Sequence, residues 1–121
     1  MKTKKGINDI GGTSGSQPQS VSRIDPVFFY PCTDEGDIFV YLAKAGHAKI
    51  VIATFDDGAS EHAFAMRTIT SNSKYEAEML IREAEKSYYF SGNNPFKELR
   101  EDSRAMAKLA IILAEFFDSG E

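Results

Sequence analysis

The chain has 121 residues, among them no tryptophan and a single cysteine, Cys32. One cysteine excludes an intramolecular disulfide and disfavours a cysteine-based metal site. The two histidines, His47 and His62, lack the spacing of known metal-ligand motifs, and no phosphate-loop or Gly-x-Ser-x-Gly motif is present. We therefore predict a protein that is not an enzyme and that uses neither a cofactor nor a metal.

Long hydrophobic stretches are also missing. The longest apolar run, residues 105–117, is interrupted by Lys108 and Glu115 and is shorter than the roughly 20 apolar residues that cross a bilayer. The N-terminal lysines are not followed by the apolar stretch of a signal peptide. We expect a cytoplasmic protein without membrane contact, which also suits a chain with one thiol.

Charge is divided unevenly along the chain, whose net charge is −4. Residues 1–23 carry four basic residues and one acidic residue, whereas residues 24–121 carry ten basic and seventeen acidic residues. An acidic domain is repelled by the phosphate backbone, so nucleic acid is disfavoured as a partner. Lys2, Lys4 and Lys5 are the candidates for any weak nucleic-acid binding.

Composition predicts two regions. Residues 1–22 are rich in Gly, Ser, Gln and Thr and have few large apolar side chains, which favours a disordered basic tail. Residues 23–121 have the apolar content and length of a single domain.

The domain is predicted to be α+β, with an antiparallel sheet followed by two antiparallel helices on one face. Strand patterns cover residues 27–30, 38–43, 48–55 and 62–70, and helical patterns cover residues 73–90 and 95–117. Ser73 and Glu76 have the spacing of a capping box, and Asn94 followed by Pro95 is typical of a helix start. The predicted order is β-β-β-β-α-α.

Residues 34–46 are ambiguous. They can form a strand, because residues 38–41 all favour extended structure, or a helix that begins after Thr33 and ends at Gly46. The second interpretation gives the order β-α-β-β-α-α, which we keep as the alternative.

Acidic residues concentrate in two predicted turns, residues 33–37 and 56–61, which a meander would place at the same end of the sheet. Aromatic side chains in the strands would partly remain exposed if helices cover one face alone. This combination favours binding to another protein, and the acidic charge favours a basic one. The candidate partner-binding residues are Asp34, Glu35, Asp37, Asp56, Asp57, Glu61, Phe39 and Tyr41.

Three further possibilities rest on particular residues. Ala107, Ala110 and Ala114 form a strip on the last helix where a second helix, from this chain or from a second copy in a homodimer, can approach closely. A pocket between sheet and helices would make the protein a small-molecule binding module, with hydroxyls from Tyr41, Tyr75 and Tyr88. Cys32 lies beside acidic residues, which raise the pKa of a thiol and oppose a nucleophilic role.

Overall fold

The computed structural model describes residues 25–32, 35–87 and 89–119, so the predicted tail lies outside the described residues. Four strands come first: β1 (Phe28–Cys32), β2 (Gly36–Ala45), β3 (Ala48–Asp56) and β4 (Glu61–Thr68). Three helices follow: α1 (Ser73–Ser87), α2 (Pro95–Arg100) and α3 (Ser103–Phe117). The predicted α+β class and strand order are confirmed. The alternative with a helix over residues 34–46 is wrong, because this segment contains β2.

The sheet is an antiparallel meander with the order β1-β2-β3-β4. Gly36 begins β2 with a φ of 140°, a region that other residues rarely adopt. A Cβ atom at Gly36 would lie 2.1 Å from the carbonyl oxygen of Asp56, so the close approach of β2 and β3 requires glycine there. A bulge at Phe64 of β4, opposite Ala53 and Thr54, shifts the register of β3 against β4.

The core lies between one face of the sheet and the helices. Side chains alternate along β2, where Ile38 and Val40 are fully buried and Phe39 between them is half-buried. The buried set on the sheet side continues with Phe28, Cys32, Val51, Ala53, Phe55 and Ala65. The helices contribute Ala77, Leu80, Ile81, Ala84, Phe96, Leu99, Leu109 and Leu113. We call the sheet face that packs on the helices the inner face and the opposite one the outer face.

The predicted helix over residues 95–117 is in fact two helices, because Asp102 adopts an extended conformation between α2 and α3. The Asp102 carboxylate accepts hydrogen bonds from the Ala105 amide (3.1 Å) and from the Tyr30 hydroxyl (3.1 Å) on β1. These two donors hold the pKa of Asp102 below its usual range. The break therefore starts α3 with a charged cap and attaches it to the first strand.

Helix α1 is shorter than the predicted 73–90, because the chain leaves the helix after Ser87 and Phe90 packs its ring 5.5 Å from that of Phe55. Its cap is Asn72, whose side chain accepts from the Tyr75 amide, and not Ser73. Glu76 is 3% exposed, and its carboxylate binds the Arg67 guanidinium at 2.7 Å. This ion pair fixes the start of α1 to β4.

Lys49 of β3 closes the other end of the helical layer. Its ammonium donates to the carbonyl oxygens of Phe116 and Phe117, both at 2.9 Å, and to the Ser119 hydroxyl. These carbonyls belong to the last turn of α3, where they have no partner within the helix and where the helix dipole attracts a cation. A sheet residue thus caps the C-terminus of α3.

We expect Asn94→Ala to lower the free energy of unfolding by about 1–2 kcal/mol. Asn94 caps α2 by accepting from the Phe96 amide at 2.9 Å, and its amide nitrogen donates to the Glu85 carbonyl at 3.0 Å. Urea denaturation measures the change. The matched control is Asn93→Ala at the exposed neighbouring position; equal stability of the two variants would contradict the capping role.

Candidate functional site

The outer face of the sheet is the main exposed apolar surface that the strands present. Helices α1 and α3 contact the sheet from the inner side, and no described element lies over the outer one. Antiparallel sheets with one solvated face normally alternate apolar and polar side chains. Here the outward positions are mostly apolar: Phe29, Phe39, Tyr41, Ala43, Ile50, Ile52, Ala63 and Met66.

Two large side chains of this face are more than half exposed, while Phe39, Tyr41, Ile50 and Ile52 are half-buried. Phe29 is 52% exposed and Met66 is 60% exposed, at opposite edges of the sheet. Phe29 stands opposite Phe39, with ring centroids 5.2 Å apart, and Ile52 stands opposite Met66. The apolar surface therefore extends across all four strands.

Carboxylates form a row across one end of the outer face. The register pairs Asp37 of β2 with Asp56 of β3, and Asp56 with Glu61 of β4. Like charges directly opposite one another are destabilising in a sheet. Among the described strand residues, no lysine or arginine occupies an outward position. We call Asp37, Asp56 and Glu61 the acidic row.

A hydrogen-bond network connects the acidic row to the aromatic surface. Glu61 accepts from the hydroxyls of Tyr41 and Thr54 through the same carboxylate oxygen. The Thr54 side chain is buried, although it belongs to the outer face. The network spans β2, β3 and β4 and fixes the orientation of the Tyr41 ring.

The other predicted acids lie elsewhere. Glu35 and Asp57 are on the helix side of the sheet end, and Asp34 lies outside the described residues. Asp57 accepts from the Ala59 and Ser60 amides, which lower the pKa of its carboxyl group. The structure thus brings three of the six acids together on the outer face, next to Phe39 and Tyr41.

Glu35 and Asp57 border a cleft of about 780 Å³ at the same end of the sheet. Its apolar lining is aromatic: Phe55, Phe64 and Phe90 contact one another with ring centroids 5.5–6.4 Å apart. Ser87, Tyr89, Ser91 and His62 complete the rim. Of the tyrosines predicted to line a pocket, Tyr41 is on the outer face and Tyr75 is on α1, so neither lines this cleft; Tyr88 lies outside the described residues.

His62 is not surrounded by side chains that would complete a metal site. Its Nε2 atom is 2.8 Å from the Ser60 hydroxyl, and the neighbouring Glu61 turns to the outer face because successive strand residues point to opposite sides. In the described part of the chain, no group of three His, Cys, Asp or Glu side chains is arranged to hold a metal ion.

The alanine strip of α3 is divided between surface and core. Ala107 is exposed, whereas Ala110 and Ala114 are half-buried. Helix α1 packs on α3 within the chain and contributes Ala77 and Ala84 to the core. The neighbouring Ile111 is 59% exposed on the outside of this helical layer.

Sequence reasoning missed Phe29, Ile52 and Met66, which complete the outer face. A signal for Phe29 was present, because Phe28 and Phe29 are adjacent and a strand must place one on each face. Met66 had no such signal, since the bulge beside Ala53 decides which residues of β4 turn outward.

Comparison with protein-family models, with curated proteins and with solved structures finds no match to this chain. Among the described residues, no helix has both the length and the apolar character needed to cross a membrane.

Cys32 is buried in the core between the sheet and the helical layer. Burial, followed by the nearby carboxylates of Glu98 and Asp37, raises the pKa of its thiol to about 12. Its Sγ atom lies 3.8 Å from the Tyr30 carbonyl oxygen.

We expect native Cys32 to react with iodoacetamide at pH 8 at least about a hundredfold more slowly than in urea-unfolded protein, because the thiolate is the reactive form. Mass spectrometry of time points measures both rates in one preparation. Comparable rates in the folded and unfolded protein would show that the thiol is accessible and ionised.

Proposed function

We propose that the protein is a non-enzymatic binding module that recognises another protein through the outer face of its sheet. The observation that carries this proposal is the apolar composition of that face. An uncovered sheet face normally carries polar side chains, yet Phe29 and Met66 are more than half exposed here. Contiguous apolar surface of this kind is typical of interaction sites.

The acidic row supports a protein partner over nucleic acid. Aromatic sheet faces that stack bases are accompanied by lysine and arginine for the phosphates. Here the charged positions of the outer face are carboxylates, which repel phosphate. The same carboxylates attract a partner with basic groups and accelerate its association.

We also propose that the protein acts in the cytoplasm, and we keep the homodimer as part of the proposal. A reducing compartment suits a chain whose one cysteine is a buried thiol. The homodimer is the alternative to a different partner, and sedimentation of the wild type detects it.

We expect the double variant Phe29→Ser, Met66→Ser to lose the proteins that the immobilised wild type retains, because it removes apolar surface from both edges of the face. Quantitative mass spectrometry of the retained proteins measures the loss. The matched control is Tyr75→Ser, Ile111→Ser, which removes two side chains of similar exposure, 52% and 59%, from the helices.

The control variant should retain the same proteins as the wild type. Circular dichroism and thermal denaturation confirm that both double variants are folded. If Phe29→Ser, Met66→Ser still retains the wild-type set of proteins, or if the control variant loses them, the proposal that the outer face binds the partner is contradicted.

The cleft favours a second function, the binding of a small molecule. Its volume of about 780 Å³ lies in the range of ligand pockets. The aromatic lining suits an apolar group, and Glu35, Asp57 and His62 offer polar contacts at the rim.

For this second function we expect a metabolite library to contain a compound that raises the melting temperature of the wild type but not that of Ser91→Trp, which fills the cleft. A ligand at 100 times its Kd stabilises the folded state by about 2.7 kcal/mol. Asn93→Trp, at an exposed position that does not line the cleft, is the control and should respond like the wild type. Equal shifts in both tryptophan variants would place the ligand elsewhere.

A further inference from the structure

We propose that the occupant of the outer face is a short cationic amphipathic helix of a partner protein, an inference that rests on the proposed function and specifies its partner. Its apolar side lies on the rows of Phe29, Phe39, Tyr41, Ile52 and Met66. Its basic residues lie at one end, against the acidic row.

The size of the face favours a segment over a second copy. Four strands spaced about 4.8 Å apart, over the roughly 20 Å that the seven residues from Asp37 to Ala43 span, present on the order of 400 Å². A stable interface buries about 800 Å² per partner. A helix of about three to four turns, 10–12 Å in diameter and about 20 Å long, fits within the available surface.

Charge also opposes a second copy on this face. Each copy would bring three carboxylates, and the outward strand positions that the structure describes offer no basic group to meet them. Two such faces in contact would bury six carboxylates, which is costly without partners. A cationic segment instead supplies the missing charge.

The position of the acidic row gives the occupant a direction. Asp37, Asp56 and Glu61 stand at one end of the face, and the rows beyond them are apolar. A helix that runs along the strands therefore places its lysines or arginines at one end and its apolar side chains over the rest.

Hydrogen bonds order the side chains of the site in the unbound protein. Glu61 is anchored by the hydroxyls of Tyr41 and Thr54, and the Tyr41 and Thr54 backbones belong to the two central strands. Because these side chains are already ordered, a partner loses less conformational entropy in binding.

The test uses two synthetic 14-residue peptides with the same leucine and alanine stripe. One carries three lysines in its first turn and a half, and the other carries glutamates at those positions. Fluorescence anisotropy with the full chain measures both Kd values at 50 and 200 mM salt. At 50 mM salt we expect the cationic peptide to bind at least about tenfold more tightly than the glutamate peptide. At 200 mM salt we expect this difference between the two Kd values to be smaller, because salt screens the charges.

The charge contribution is isolated by Asp37→Asn, Asp56→Asn, Glu61→Gln, which keeps side-chain size and one acceptor oxygen at each position. We expect this variant to bind the cationic peptide about tenfold more weakly. Glu101→Gln, Glu115→Gln, Asp118→Asn makes the same change in net charge on exposed positions of the helical layer and should stay within about twofold of the wild type. The outer-face variant should also be at least as stable as the wild type, because it removes repulsion between opposite residues.

Each other outcome overturns part of the proposal. Suppose that the two peptides bind with equal Kd values and that Phe29→Ser, Met66→Ser abolishes the binding of each. In that case the outer face binds apolar segments without selecting their charge, so the inference fails and the proposed function stands. If neither peptide binds the full chain or the chain without residues 1–24, or if binding ignores every outer-face variant, the inference fails, while the retention experiment with Phe29→Ser, Met66→Ser decides the proposed function.

Two results would assign a different occupant. If the cationic peptide binds only after deletion of residues 1–24, this chain's own basic segment covers the face. If sedimentation shows a dimer that Phe29→Ser, Met66→Ser dissociates, a second copy covers it. Either result would overturn the assignment to a partner helix.

Discussion

The structure depends on the burial of one face of its central strands. Ile38, Val40 and Val51 are fully excluded from solvent, and α1 and α3 cover them with Leu80 and Leu113. Because strand side chains alternate, this burial forces the residues between them onto the opposite side. The three helices that the structure describes all occupy the inner side, so the outer face is exposed as a direct consequence of how the core is made.

Polar contacts attach the helical layer to the sheet at several points. Glu76 pairs with Arg67 at the start of α1, Asp102 accepts from Tyr30 at the start of α3, and Lys49 caps the end of α3. Lys49 satisfies carbonyls at the end of α3, and Arg67 pairs with the buried charge of Glu76. These contacts hold the helices on the inner face, so the side chains of the outer face are not needed to attach the helices.

That chemistry combines three properties that are useful in recognition. The outer face is apolar across four strands, it carries the acidic row at one end, and its central hydroxyls are hydrogen-bonded to Glu61. Apolar surface contributes affinity, charge contributes selectivity and association rate, and prior ordering reduces the entropic cost. The cleft on the other side of the sheet end is separate from this surface and has its own lining.

Local signals predicted the elements well because their causes are local. The extended propensity of residues 38–41 produced β2, and Asn94 with Pro95 started α2 at the predicted position. The placement of acids was predicted in part: the turns do meet at one sheet end, but Glu35 and Asp57 turn to the cleft while Asp37, Asp56 and Glu61 turn outward.

The sequence by itself determined the α+β class, the strand order and the acidic character of one sheet end, because propensity and charge are properties of neighbouring residues. Tertiary structure decided what depends on distant residues. The break between α2 and α3 involves Tyr30, which is 72 positions from Asp102. The set of residues on the outer face depends on cross-strand register and on the bulge in β4's pairing, which no single segment encodes.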